Sequence, residues 1–123
     1  MRILKYDEAI SLFTEIRSLI KSHSEDEDLK GSYRHFIDVC LEYADIRAKW
    51  SRWDRDTKVA RDEERTLYHD SVVSEVKFLQ SFNTLYGNPV DFSCIESVDP
   101  YEQRKLQGDL ACFIHLILSI EAR

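Results

Sequence analysis

The stretch Leu110-Ala111-Cys112-Phe113-Ile114-His115-Leu116-Ile117-Leu118-Ser119-Ile120 decides how this chain folds. Only His115 and Ser119 are polar, and a spacing of four places them on one stripe of a helix. A helix apolar over most of its circumference is a buried helix. The stretch therefore reads as the central post of a helical domain. It is far shorter than the ~20 apolar residues that a membrane span requires.

Working outward, the post has a clear start. Asp99-Pro100-Tyr101-Glu102 puts an acceptor at N-cap, proline at N1 and a carboxylate at N3, the arrangement of a capping box. Gly108 interrupts this helix at a cost of about 1 kcal/mol against alanine, which points to a close helix–helix approach. Before it, Asp91–Ser97 reads as a loop that tucks Phe92 and Ile95 inward. Gly87 followed by Asn88-Pro89 stops the preceding helix. That helix is long, from about Asp54 to Tyr86, and Asp54 or Asp56 caps it. Its second half carries Tyr68, Val72, Val76, Leu79 and Phe82 on one face. Its first half is polar and is expected to project or kink. A second helix runs from about Leu29 or Ser32 to Trp50, with Tyr33, Phe36, Cys40, Tyr43 and Ala44 as its apolar face. The first runs from about Asp7, as cap, to Lys21. The acidic run Ser22–Asp28 between them reads as a solvated loop. The expected fold is all-α: one domain over residues 1–123, a four-helix bundle with a long third helix and a buried C-terminal helix.

The composition agrees. The chain has 123 residues, 43% hydrophobic and 33% charged, with only 3 Gly and 2 Pro, which favours helices with solvated outer faces. The net charge of −6 argues against nucleic-acid binding, which needs a basic face. It suits a basic partner and serves solubility equally. Cys40, Cys94 and Cys112 are odd in number and far apart, so neither a disulfide framework nor a zinc site is expected. The N-terminal residues have no apolar signal region, and the expected setting is cytoplasmic.

Three helices nevertheless aim charges at the presumed core. At about 100° per residue, Arg47 falls within roughly 20° of Cys40, and Arg65 within roughly 20° of Val72 and Val76. His69 lies one turn after Arg65, with Asp62 on the same flank. Asp109 falls within roughly 40° of Phe113. Isolated charges there are costly, so they must pair or reach water. The expectation is that Arg47 and Arg65 pair with Asp109, helped by Asp62 or Glu102. One reading is a quiet ion-pair network that fixes helix register. The other is a pocket in which surplus arginine charge holds a small anion, with His69 as a hydrogen-bonding partner.

No catalytic constellation is legible. The metalloprotease motif, the nucleophile elbow, the glycine-rich phosphate loop and Glu-x-x-His are all absent, so no catalytic residue, metal or cofactor is assigned. Trp50 and Trp53, three apart at a helix end, pack under the helix junction or, if exposed, form a partner-binding hot spot.

Tyr43, Arg47 and Trp50, then Asp62-Glu63-Glu64-Arg65-Thr66 with His69, then Arg104, Gly108-Asp109, Ala111-Cys112 and the Ala122-Arg123 end resemble a family of short bacterial all-helical proteins. The resemblance covers roughly the last two-thirds of the chain. It implies an all-α fold and a bacterial source, and no assigned activity comes with it. The leading expectation on function is a small helical protein that binds another protein, as an adaptor or inhibitor does, or itself through the flanks of the third helix. The alternative is a small-anion or small-molecule binder, or an enzyme, with a pocket around Arg47, Arg65, His69 and Asp109.

Overall fold

A computed structural model describes all residues, 1–123. It is all-α. The helices are α1 (Tyr6–Ser22), α2 (Glu27–Trp50), α3 (Arg55–Leu85) and α4 (Pro100–Glu121), with a 3₁₀ turn at Ser93–Ile95 before α4. The most extensive pairing is α2 with α3, an antiparallel hairpin closed by Ser51–Asp54. α4 packs against α1, α2 and α3, so it is the post around which the others stand.

α2, α3 and α4 each begin where an aspartate takes up a free backbone N–H group. Asp26 accepts from the Leu29 amide and Asp54 from the Thr57 amide. Asp99 accepts from the Tyr101 amide, with Pro100 at the first helical position. Two details depart from expectation. Lys5, not Asp7, precedes α1, and the Glu8 carboxylate accepts from the Lys5 amide. Glu102 does not close a capping box onto Asp99. It accepts from the Arg2 amide and the Ser97 hydroxyl, tying the N-terminal segment to the start of α4.

The end of α3 is fixed by chain chirality. Gly87 (φ +86°) and Asn88 (φ +59°) are both left-handed. Asn88 donates back to the Asn83 carbonyl and Gly87 to that of Thr84, the Schellman pairing that satisfies the last carbonyls. Asn83 is itself 4% exposed, and its amide donates to and accepts from the Val90 backbone, both at 2.9 Å. This clamp feeds Val90, Phe92 and Ile95 into the core.

The core is built from one stripe of each helix: Leu12, Phe13 and Ile16; Leu29, Phe36 and Cys40; Val72, Val76 and Leu79; Leu106, Leu110 and Ile114. The burial of α4 is one-sided. Leu110, Ala111, Ile114 and Ile117 are buried, but Leu116 and Ile120 are 43% and 46% exposed. His115 and Ser119 share that outer side, and the Ser119 hydroxyl donates to the His115 carbonyl. The most enclosed part of α4 is the preceding segment, Leu106–Gly108 with Leu110 and Ala111. The first half of α3 places no residue in the core, its buried positions starting at Val72. It continues as one helix alongside the end of α2.

Candidate functional site

Where the C-terminal half of α2, the first half of α3 and the first turns of α4 meet, a cleft of about 320 Å³ opens to solvent. Its walls are Tyr43 and Arg47 from α2, Arg65, Thr66 and His69 from α3, and Tyr101, Arg104 and Lys105 from α4. Every charged residue in that lining is cationic. The chain as a whole carries 23 acidic against 17 basic residues, so the local balance is reversed.

Helical spacing explains the convergence. Tyr43 and Arg47 are one turn apart, as are Arg65 and His69. Tyr101, Arg104, Lys105 and Gly108 follow the i, i+3, i+4, i+7 pattern of a single stripe. Gly108 ends that stripe for a steric reason. A methyl group there would meet the Tyr43 hydroxyl at 3.0 Å and His69 Nε2 at 3.2 Å. Both rings therefore lie over the bare α4 backbone, with centroids 4.9 Å apart.

The cations are held in place without being fully neutralised. Arg47 donates from Nη1 to the Tyr43 hydroxyl at 2.9 Å, and its Nη2 is 3.7 Å from Asp109. Lys105 donates to the other oxygen of Asp109 at 2.9 Å. Arg104 meets Asp70 at 2.7 Å. Arg65 meets Asp62 at 3.3 Å and lies 4.5 Å from the ring centre of Trp50. Four cations thus share three carboxylates, and none of the three lines the cleft.

His69 is half-buried. Its Nε2 stands 2.8 Å from the Arg104 carbonyl. A carbonyl only accepts, so Nε2 carries the proton and the neutral ring keeps a lone pair on Nδ1. The ring's hydrogen bond within the protein is the one at Nε2. Burial, reinforced by the Arg104 and Arg47 charges, outweighs the Arg104 carbonyl bond and holds the imidazole below its usual range.

The structure sorts the residues expected from sequence. Arg47, Arg65 and His69 line one cleft. Asp109 lies beside it, its side chain 18% exposed, as the anchor of Arg47 and Lys105. Asp62 lies on the outer flank of α3. The expected Arg65–Asp109 pair does not form, because Arg65 is engaged by Asp62 on its own helix and by Trp50. Glu102 takes no part. Trp50 and Trp53 are half-buried, 6.1 Å apart and covered by the guanidiniums of Arg65 and Arg61. Trp50 backs Arg65 of the cleft, and neither ring is a bare apolar face. Sequence reasoning left Tyr101 and Lys105 out of the site, and met Arg104 only in the family resemblance. The signal was their common stripe ending at an otherwise costly glycine.

Elsewhere the chemistry is quiet. A second cleft between α1 and the 3₁₀ turn is lined by Asp7, Glu8, Glu15 and Asp91. Glu8, Glu15 and Asp91 are spent on backbone amides of Lys5, Asp91 and Ser93. No group of three or more His, Cys, Asp or Glu side chains is placed to hold a metal ion. Burial raises all three thiols, Cys94 to about 11, so little thiolate forms at neutral pH. No helix is long and apolar enough to cross a membrane. Among known protein families, curated proteins and solved structures, nothing matches this chain.

Proposed function

We propose that this protein binds a small anion in the cleft between α2, α3 and α4. The observation that carries this reading is a lining with four cations and no carboxylate in a chain of net charge −6. Arginine forks and a lysine are the donors that oxyanions select, through charge-assisted hydrogen bonds. The cleft is at the small end of ligand sites, which suits a compact anion or the anionic head of a small metabolite. The half-exposed positions of Arg47, Arg65, Arg104 and Lys105 give a ligand access without unfolding.

The test is thermal unfolding with sulfate, phosphate and citrate against chloride at matched ionic strength. A ligand at 100 times its Kd stabilises by about 2.7 kcal/mol, on the order of 10 °C in Tm for a chain this size. Arg104→Gln removes one guanidinium from a largely solvated ion pair, so the fold tolerates it while the anion effect shrinks. An equal response to all salts, or no change in Arg104→Gln, counts against the reading.

A second reading, contact with another protein through α3, is favoured by Val59 and Leu67, which are 72% and 62% exposed beside Asp62, Glu63 and Asp70. Light scattering of Leu67→Glu and wild type over a concentration series addresses its self-association form. Identical monomeric behaviour in both would remove that form.

A further inference from the structure

The charges of the cleft set the charge of its ligand. This step rests on the anion-binding reading. Arg47, Arg65, Arg104 and Lys105 contribute four positive charges, and Asp62, Asp70 and Asp109 return three negative ones. With His69 neutral the surplus is a single charge, and with His69 protonated it is two. His69 is built for that change. Its Nε2–H is committed to the Arg104 carbonyl, so the ring stays in place in either state. Protonation adds a donor at Nδ1, the ring nitrogen not used in the Arg104 bond.

The groups around this imidazole come from all three helices. Tyr43 and Arg47 face it from α2, Tyr101, Arg104, Lys105 and Asp109 from α4, and Asp62, Arg65, Thr66 and Asp70 accompany it on α3. Burial first, and then the Arg104 and Arg47 charges, oppose its protonation while the cleft is empty. A doubly charged oxyanion among them reverses that field. We propose that the ligand is a tetrahedral dianion, as on a phosphate monoester or sulfate, and that it binds with uptake of a proton at His69 Nδ1. A monoanion already balances the cleft and has no such requirement.

Calorimetric titration with sulfate tests this, because sulfate does not itself titrate near neutrality. Wild-type affinity rises as pH falls from about 8 to 6, by up to tenfold per unit, with proton uptake approaching one, read from buffers of different ionisation enthalpy. His69→Gln keeps a donor for the Arg104 carbonyl, and its sulfate affinity is flat over the same range. Methyl sulfate, the monoanion of the same head group, binds more weakly and without proton uptake. Methyl phosphate binding as a dianion, more tightly than sulfate, identifies phosphate monoesters as the source of the chemistry, and the reverse order identifies sulfates. Sulfate binding that is independent of pH and buffer, or that is matched by methyl sulfate, overturns the dianion proposal and leaves anion binding standing. Absence of binding by every anion overturns both.

Discussion

Tyr43 of α2 lies across Gly108 of α4 so closely that a methyl group on that glycine would sit 3.0 Å from the phenol oxygen. Tyr43 is 1% exposed, and its hydroxyl is held by Arg47, so it has little room to retreat. In an open helix, Gly→Ala gains about 1 kcal/mol. Here overpacking at about 1–3 kcal/mol opposes that gain. Gly108→Ala is therefore expected to destabilise the fold by on the order of 1 kcal/mol in urea unfolding and to weaken anion binding by displacing Tyr43 and His69. A more stable Gly108→Ala protein would show that the two helices are not in contact there.

One buried amide holds the start of the loop that closes the bundle. Asn83 is buried and satisfies both backbone groups of Val90. Asn83→Ala leaves a buried N–H and C=O without partners, at a cost of about 2–6 kcal/mol for the two groups. Equilibrium unfolding reads the loss directly, and hydrogen exchange at Val90 locates it.

The pH dependence of stability carries a definite sign. His69 has a folded-state pKa below its ordinary value of 6.5, chiefly through burial. The unfolded chain then binds the proton more readily than the folded one. The stability this neutral imidazole supplies is present above the unfolded value and is lost as pH falls from about 6.5 toward the folded value. The difference in Tm between wild type and His69→Gln should shift against wild type across that acidic window in chloride. A difference that does not vary with pH would mean that the imidazole is not desolvated.

Asp109 separates a binding site from a structural ion-pair network. It restrains Arg47 and Lys105, yet it does not line the cleft. Asp109→Asn removes one negative charge beside the cations. A unit charge about 6 Å away in water is worth about 0.7 kcal/mol, or roughly threefold. Anion affinity is expected to rise by about that factor while stability falls, since two cations lose their partner. Lys105→Gln is expected to move affinity the other way. Parallel losses of affinity in both variants would point to a cluster that only holds the helices together.

How far the sequence carried the account follows from what kind of signal each feature leaves. Local signals were legible: Asp54 and Asp99 at helix starts, Gly87 at the end of α3, and the apolar periodicity of all four helices. Each depends on residues within a turn or two. The cleft was half legible. Arg47 and Arg65 stood out because a helix wheel places them against apolar neighbours, and His69 followed from its spacing. Tyr101 and Lys105 did not stand out, and Arg104 did so only in the resemblance, because polar residues in the first turns of a helix are ordinary. Their common stripe acquires meaning only when Gly108 brings Tyr43 and His69 onto α4. The pairing of Arg65 failed for a related reason. A wheel gives direction but not depth, and Asp62 and Trp50 reach the guanidinium before Asp109 does. The outer face of α4 was misjudged because apolar composition alone does not say which flanks have a neighbour.

Anion binding confined to the cationic cleft would leave a signature at named residues. Backbone amide NMR during a sulfate titration at constant ionic strength tests it most directly. Saturable shifts are expected, with a Kd of about 1 mM or tighter. They should be centred on Thr66, His69, Arg104 and Lys105, with Ser11 and Cys94 beside the acidic cleft unmoved. Shifts that grow without saturation, or that spread evenly over the basic residues of the surface, would contradict it.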